Sequence, residues 1–111
     1  MNRFLLFTFF SIFLFSSSAE AAVYKGQKEF IEQCLVCHVS GQSFITKYTI
    51  KEWKNFIGKK GSTLANLHLK DSKAKKSWNY FSSKQYTKKA KHLKQFLVEY
   101  AKDSGNVPAC N

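Results

Sequence analysis

The sequence predicts an all-α protein, and three observations support this class. The segment 84–102 carries apolar residues at helical spacing, in the pattern i, i+4, i+7, i+11 and i+14: Tyr86, Ala90, Leu93, Leu97 and Tyr100. Thr49-Ile50-Lys51-Glu52 has the form S/T-x-x-E, which is typical of a helix N-terminus. No stretch of the sequence shows the two-residue alternation of apolar and polar residues that indicates a half-buried strand.

The first half of the chain predicts two helices. The first covers 26–38, where five residues recur at helical spacing: Phe30, Ile31, Cys34, Leu35 and His38. We expect 40–43 (SGQS) to interrupt the chain. The S/T-x-x-E box then begins a short helix over 52–57, which Gly58 and Gly61 end. The segment 64–69 is apolar enough to pack but too short to classify.

The second half of the chain predicts two more helices. Asp71-Ser72 can cap a short helix that runs through Trp78 and Phe81. Ser82-x-x-Gln85 offers a second capping box, and the long helix of 84–102 follows it. Gly105 and Pro108 end this last helix.

Residues 1–21 have the form of a secretory signal peptide. A short positive start precedes a nearly all-apolar run at 4–15, and Ala19-Glu20-Ala21 is an A-x-A cleavage site. The apolar run is shorter than the roughly 20 residues of a membrane span. We expect cleavage after Ala21, which leaves 22–111 as one small domain. An uncleaved anchor or a buried core helix is the alternative interpretation of this run.

Cys34-Leu35-Val36-Cys37-His38 is the most informative stretch of the sequence. C-x-x-C-H is typical of the attachment site of a c-type haem. Positions i, i+3 and i+4 of a helix share one face, so both thiols and the imidazole would point the same way. The thiols add across the two haem vinyl groups, and the imidazole ligates the iron. Haem c is attached outside the bacterial cytoplasmic membrane, so the motif and the leader together predict a periplasmic protein.

The charge of the chain indicates acidic partners. Lys and Arg number 18 against 7 Asp and Glu, which gives a net charge of +11. Arg3 lies in the leader, so every cation of 22–111 is a lysine, and none can recognise a base through a bidentate arginine contact. Such an excess steers encounters with acidic surfaces. We expect acidic redox proteins of the periplasm or the inner-membrane surface as partners, and no nucleic acid. The alternative is that the lysines only solvate helix faces.

Residues 22–111 resemble a small class I cytochrome c. The likeness rests on Gly26, Phe30 and C-x-x-C-H near the start, and on 96–101 (FLVEYA) in the last helix. The resemblance implies a cytochrome c-like fold whose N- and C-terminal helices cross around one covalent haem. Gly26 and Phe30 would then contact Leu97 and Tyr100 at the crossing.

The resemblance also implies roles for the motif residues and a difficulty at the sixth position of the iron. Cys34 and Cys37 would hold haem c through thioether bonds, and His38 would be the proximal ligand. Class I members usually supply a Met from the loop before the final helix, but the only Met here is Met1, in the leader. Without Met we expect a lower reduction potential than that of a typical class I member.

Three residues are candidates for the sixth ligand. His68 lies between two leucines on the apolar segment 64–69, which suggests burial near the haem. His92 lies at the edge of the apolar stripe of the last helix, among lysines. Cys110 is the odd cysteine if the motif cysteines hold haem, and a disulfide between chains is its more expected use. A Lys ligand, a partner's ligand or an open position completes the alternatives.

The predicted function is a periplasmic monohaem electron carrier rather than an enzyme, because paired carboxylates, a Ser/His/Asp set and a phosphate loop are all missing from the sequence. The alternative is a haem-based ligand-binding or sensing module, or a weak peroxidase, with an open or exchangeable sixth position. Two further hypotheses use no haem: a Cys34–Cys37 thiol–disulfide pair, and a metal site of Cys34, Cys37, His38 and Cys110.

Overall fold

A computed structural model describes residues 18–108, and the predicted all-α class is confirmed there. Within these residues six α-helices and two 3₁₀ turns follow one another without a β-strand. The α-helices are α1 Ser18–Gln33, α2 Gly41–Ile45, α3 Ile50–Phe56, α4 Ser62–Leu69, α5 Trp78–Phe81 and α6 Lys84–Glu99. The 3₁₀ turns are Lys59–Gly61, before α4, and Ser72–Ser77, before α5.

Both ends of the sequence contain predictions that lie outside the described residues. Of the predicted leader, only 18–21 are described; they begin α1, so the expected cleavage after Ala21 falls inside that helix. Cys110 lies in 109–111, beyond the described part, and its predicted disulfide stays a prediction. From 18 to 108, every helix is too short or too polar to cross a membrane.

The first and last helices, α1 and α6, pack against each other. A Cβ on Gly26 would overlap the backbone carbonyl of His92 and lie 2.7 Å from Cβ of Phe96, so this approach needs a glycine. The rings of Phe30 and Phe96 pack with their centroids 5.6 Å apart, and both are buried. The contact therefore uses Phe96 where the sequence predicted Leu97.

Four of the five residues of the predicted apolar stripe are buried on α6, which ends at Glu99 rather than near 102 and leaves Tyr100 half-buried. Tyr86, Ala90, Leu93 and Leu97 are all buried, and full burial of a large apolar side chain stabilises the fold by about 1.5–3 kcal/mol. The helix begins one residue later than the predicted capping box, because Ser83 accepts the hydrogen bond from the backbone N–H of Tyr86 at 3.2 Å.

The predicted capping box of α3 is confirmed. The Thr49 hydroxyl accepts from the backbone N–H of Glu52, and the Glu52 carboxylate accepts from that of Thr49, both at 3.2 Å. Trp53 on α3 is buried, and its indole N–H donates to the Ile45 carbonyl at 2.9 Å. Ile45 belongs to α2, which begins at Gly41, so three of the four residues that were predicted to interrupt the chain at 40–43 are helical instead.

The start of α4 is a left-handed turn. Lys59, Lys60 and Gly61 have φ values of 53°, 57° and 91°, and a left-handed conformation costs roughly 1–2 kcal/mol at a residue other than glycine. The Tyr86 hydroxyl donates to the Gly61 carbonyl at 2.5 Å, and a Cβ on Gly61 would lie 2.6 Å from Cβ of Ala90. The turn is therefore held against α6, and the unclassified segment 64–69 becomes α4.

The far end of α4 is fixed by its neighbours in the chain. The Asp71 side chain accepts a hydrogen bond from the backbone N–H of Lys73 at 2.9 Å, which confirms Asp71 as a cap. The element that it caps is the 3₁₀ turn Ser72–Ser77, and the predicted α-helix begins only after this turn, at Trp78. The indole N–H of Trp78, at the start of α5, donates to the backbone carbonyl of His68 at 2.8 Å. This hydrogen bond ties α5 back to α4.

Candidate functional site

A largely apolar cavity of about 440 Å³ lies among the helices. Its lining brings together four predicted site residues: Cys34, Cys37, His38 and His68. Most of the remaining wall is aromatic or aliphatic and includes Phe30, Phe44, Trp53, Phe81, Leu93 and Leu97. Pockets of about 300–1,000 Å³ with apolar walls and a few polar groups are the usual sites of small molecules and cofactors.

The C-x-x-C-H motif occupies a turn rather than the helix that the sequence predicted. α1 ends at Gln33, and residues 34–37 form a hydrogen-bonded turn. The turn keeps helical hydrogen bonds, from the Cys34 N–H to the Phe30 carbonyl at 2.9 Å and from the His38 N–H to the Cys34 carbonyl at 2.8 Å. The motif therefore keeps the spacing of a helical turn although α1 has ended, and both thiols and the imidazole line the same cavity.

The two cysteines of the motif are free thiols, Cys34 half-buried and Cys37 exposed. Burial raises the pKa of Cys34 to about 12, with smaller contributions from the neighbouring Glu29 and Cys37. Cys34 is therefore a protonated thiol at neutral pH. A redox-active C-x-x-C pair needs a thiolate with a lowered pKa, so this environment gives the thiol–disulfide hypothesis no support.

The two histidines of the cavity face each other. The ring centroids of His38 and His68 are 6.4 Å apart, and their planes cross at 84°. Burial, followed by the neighbouring His68 and Lys47, lowers the pKa of His38 below its usual value. His38 is therefore neutral near pH 7 and keeps a lone pair, as a metal ligand must.

A backbone hydrogen bond fixes the tautomer of His68. Its Nδ1 lies 2.8 Å from the carbonyl oxygen of Leu64, one turn earlier in α4. A carbonyl can only accept, so Nδ1 carries the hydrogen and the lone pair of the neutral ring is on Nε2. Metal-ligating histidines commonly donate their other ring N–H to a carbonyl or carboxylate in this way.

The separation of the two rings fits one metal ion between them. Bonds from imidazole nitrogen to a metal such as zinc are about 2.0–2.1 Å, so two in line use about 4 Å of the 6.4 Å between centroids. The rest is the distance from each nitrogen to its ring centre. Within 18–108 no three His, Cys, Asp or Glu side chains form a group that could hold a metal ion. A porphyrin supplies four nitrogens itself, so a haem would need only two further ligands, and two imidazoles beside two thiols have the chemistry to hold it.

Each histidine ring is stacked on a phenylalanine that the sequence did not single out as a site residue. The ring of Phe44 lies on His38 with centroids 3.9 Å apart and planes at 16°. The ring of Phe81 lies on His68 at 4.1 Å and 27°. Phe44 follows the predicted interruption and Phe81 lies on a predicted helix, so no sequence signal connected either ring to a histidine.

Of the other candidates for the sixth position, Lys73 lines this cavity, so the alternative of a Lys ligand stays open. His92 is on α6, with its Nδ1 3.3 Å from the side-chain oxygen of Gln95, and it does not line the cavity. Cys110 lies outside the described residues, and with it the metal site that combined Cys110 with the motif.

A buried carboxylate near the motif was missed at the sequence level. Glu29 is 4 % exposed, and it accepts hydrogen bonds from the Tyr80 hydroxyl at 2.6 Å and from the Gln85 side-chain amide at 3.2 Å. Burial and the hydrogen bond to Glu29 raise the pKa of Tyr80. Glu29 is three residues after Gly26, on the face of α1 that packs, and this spacing could have identified it. The cluster ties α1 to α5 and to the start of α6.

The cavity has two walls of different construction. We define the His38 wall as residues 34–38 with Phe44, and the His68 wall as α4 with Trp78 and Phe81. The His38 wall is an exposed turn followed by a short helix, whereas the His68 wall is a helix with hydrogen bonds to its neighbours at both ends.

The chain matches no protein-family model, no curated protein and no solved structure.

Proposed function

We propose that the chain is an exported monohaem c-type cytochrome that carries single electrons between redox partners. In this proposal haem c is attached to Cys34 and Cys37, and its iron is ligated by His38 and His68. One observation carries it: His38 and His68 face each other at 6.4 Å across an apolar cavity whose lining includes both thiols. His68 is 30 residues beyond the motif, so its position opposite His38 supports the proposal independently of the spacing.

The residues of the chain have distinct tasks in this function. The haem iron supplies the one-electron couple when it is bound. Cys34 and Cys37 would hold the group covalently, His38 and His68 would ligate its iron, and the aromatic walls would shield it from water. With both positions filled by the chain, no site is left for a substrate, which favours an electron carrier over an enzyme. Ligation by His in place of Met favours a lower potential.

The packing of the terminal helices supports the finer proposal of a cytochrome c-like fold. α1 leads into the motif, and α6 lies against α1 through Gly26 and Phe96. Leu93 and Leu97 of α6 line the cavity, so the last helix closes the site that follows the first. The leader of 1–21 supports export, and we propose the periplasm as the location because haem c is attached there.

A lysine-rich turn beside the cavity supports the proposal of an acidic redox partner, in the periplasm or at the inner-membrane surface. Lys73 lines the cavity, and Lys75 and Lys76 follow on the same exposed turn, Ser72–Ser77. Leu67 also lines the cavity and is exposed, so the opening combines an apolar contact with positive charge. Electron exchange with an acidic partner should slow as ionic strength rises; exchange independent of salt would contradict this docking surface.

Spectroscopy of the exported protein tests the proposal. The full chain is produced with a working haem-ligation system, and the pyridine haemochrome and absorption spectra of both oxidation states are recorded. We expect the α-band of two thioether links, low-spin iron in both states and no binding of carbon monoxide. His68→Ala is expected to give a high-spin ferric form and to bind carbon monoxide when reduced. His92→Ala, the matched control, should keep the parent spectrum.

Each contrary result identifies the part of the proposal that fails. A colourless protein contradicts haem attachment altogether. A high-spin parent protein that binds carbon monoxide contradicts closed ligation and favours the ligand-binding or sensing alternative. A low-spin spectrum unchanged by His68→Ala removes His68 from the iron while leaving the attachment by Cys34 and Cys37.

A further inference from the structure

We infer that Phe44 and Phe81 are positioning residues that hold two axial imidazoles with crossed planes, an inference that rests on the proposed ligation by His38 and His68. Each phenylalanine is stacked on one histidine, at 3.9 Å and 16° for His38 and at 4.1 Å and 27° for His68. The two histidine planes lie at 84° to each other. The phenylalanines therefore set the relative rotation of the two ligands.

Stacking restricts the rotation of each imidazole about its bond to a metal. That bond lies in the plane of the imidazole ring, so rotation about it drives an edge of the ring into the phenylalanine face beside it. Atoms in contact across a stack of about 4 Å are already near their optimal separation. The imidazole can therefore rotate only if its phenylalanine moves.

Neither phenylalanine is free to move. Phe81 is 8 % exposed and contacts the rings of Tyr80 and Tyr86, with centroids 5.1 and 4.8 Å away. The Tyr86 hydroxyl is in turn bound to Gly61 at the start of α4. Leu64 restrains the same imidazole independently through the hydrogen bond to Nδ1 of His68.

Phe44 is held by a separate aromatic cluster. Its ring lies 5.7 Å from Trp53, 6.1 Å from Tyr48 and 6.4 Å from Phe30, between centroids. Trp53 and Phe30 are buried. The two positioning residues thus contact no common neighbour among these rings, and each can be tested separately.

Crossed imidazole planes have a spectroscopic consequence that is independent of activity. The π system of an axial imidazole interacts with the iron d orbital perpendicular to its ring. Two iron d orbitals can take part in this interaction. Two parallel rings act on the same one of them and separate the two orbitals in energy. Two crossed rings act on one orbital each and leave the two close in energy. A ferric low-spin iron with crossed ligands therefore gives a strongly axial electron paramagnetic resonance spectrum with an unusually large highest g value. Parallel ligands give a rhombic spectrum.

Electron paramagnetic resonance of the frozen ferric protein, as the full haem-loaded chain, tests the inference. We expect the parent protein to give the strongly axial low-spin spectrum. Phe44→Leu and Phe81→Leu each free one imidazole, and we expect each to lower the highest g value towards the rhombic form. Phe56→Leu is the matched control. Phe56 belongs to the same aromatic cluster as Phe44, through the rings of Tyr48 and Trp53, but it is not stacked on either histidine, so this variant should leave the spectrum unchanged.

The outcomes separate this inference from the proposed function. A rhombic low-spin parent spectrum overturns the crossed planes but leaves ligation by two histidines. A high-spin parent spectrum overturns the proposed ligation itself. An axial parent spectrum that neither phenylalanine variant changes overturns the positioning role. If one variant does not retain haem, the other decides, since the two residues belong to different clusters.

Discussion

The His38 wall and the His68 wall enclose the same cavity, but the chain holds them in place by different means. In the His38 wall Cys37 is exposed, and its neighbours Val36 and Val39 are 65 % and 80 % exposed. The His68 wall is helix α4, with Tyr86 bound to the residue before its start and Trp78 bound to the carbonyl of His68 near its end. The His38 wall thus combines a turn at the surface with the packed ring of Phe44, whereas the His68 wall is a helix held at both ends.

In the proposed cytochrome, this difference would account for covalent attachment at one wall only. A turn at the surface has less local stability than a packed helix. In the proposed cytochrome the two thioether bonds would therefore fix His38 together with the packing of Phe44. α4 is fixed by side chains of α5 and α6, and His68 needs no covalent link. We therefore expect the two walls to respond differently to substitution.

Among the substitutions that compare the two walls, removal of both thiols should have the largest effect. In Cys34→Ala/Cys37→Ala the His38 wall loses its link to the haem, and we expect no haem to remain with the polypeptide after denaturation. Haem staining of a denaturing gel and the intact mass of the chain measure this. Cys110→Ala is the matched control and should retain haem fully; loss of haem from this variant instead would contradict the attachment proposed for the motif.

Loss of the Tyr86 hydroxyl should destabilise the His68 wall. Tyr86→Phe leaves the Gly61 carbonyl without its donor beside the left-handed turn at 59–61, which should lower the free energy of unfolding by about 1–3 kcal/mol. Urea unfolding of the haem-loaded protein measures this. Tyr24→Phe is the matched control, because Tyr24 is exposed and should have little effect.

The effect of Tyr86→Phe should also depend on pH at the alkaline end. Burial, with a smaller contribution from Cys34, raises the pKa of Tyr86 from 10.0 to about 12. The folded state thus favours the neutral phenol, so the contribution to stability is complete below pH 10 and is lost as the pH rises from 10 to about 12. The stability difference between parent and variant should narrow over this range; a difference that widens would contradict the direction of the shift.

The sequence predicted the His38 wall more completely than the His68 wall, for a physical reason. C-x-x-C-H places all its chemistry within five residues of one turn, so the spacing alone brings both thiols and the imidazole to one side even though α1 ends at Gln33. The His68 wall combines α4 with Trp78 and Phe81, and only the packed structure brings these together and places Tyr86 against the start of α4. From the sequence alone, His68 was therefore one of several candidates for the sixth ligand.

The same contrast holds for the fold. α6 was predicted by its apolar stripe and α3 by its capping box, because both signals are local to one helix. α2 and α4 are short, and packing rather than periodicity specifies them. Trp53 holds Ile45 in α2, and Tyr86 holds Gly61 before α4. Local signals predict helices whose caps and apolar stripes lie within their own residues. The remaining helices are stabilised by contacts with residues far away in the chain, which the local sequence does not show.

The smallest effect should come from a pair of tryptophan variants that compares the two walls directly. Trp78→Phe removes the hydrogen bond to the His68 carbonyl at 2.8 Å, and Trp53→Phe removes the one to the Ile45 carbonyl, beside Phe44, at 2.9 Å. Each should lower the free energy of unfolding by roughly 0.5–1.5 kcal/mol.

Ligand exchange should separate the two tryptophan variants although their stabilities are similar. Trp78→Phe loosens the wall that holds His68 without a covalent bond, so the reduced variant should bind some carbon monoxide, whereas the parent should bind none. Trp53→Phe loosens the wall that the proposed thioether bonds would fix, so this variant, like the parent, should bind none. Absorption spectra of the reduced proteins under carbon monoxide measure the bound fraction. Equal binding by the two variants would contradict a difference between the walls, because the loss of one hydrogen bond would then free the sixth position from either side.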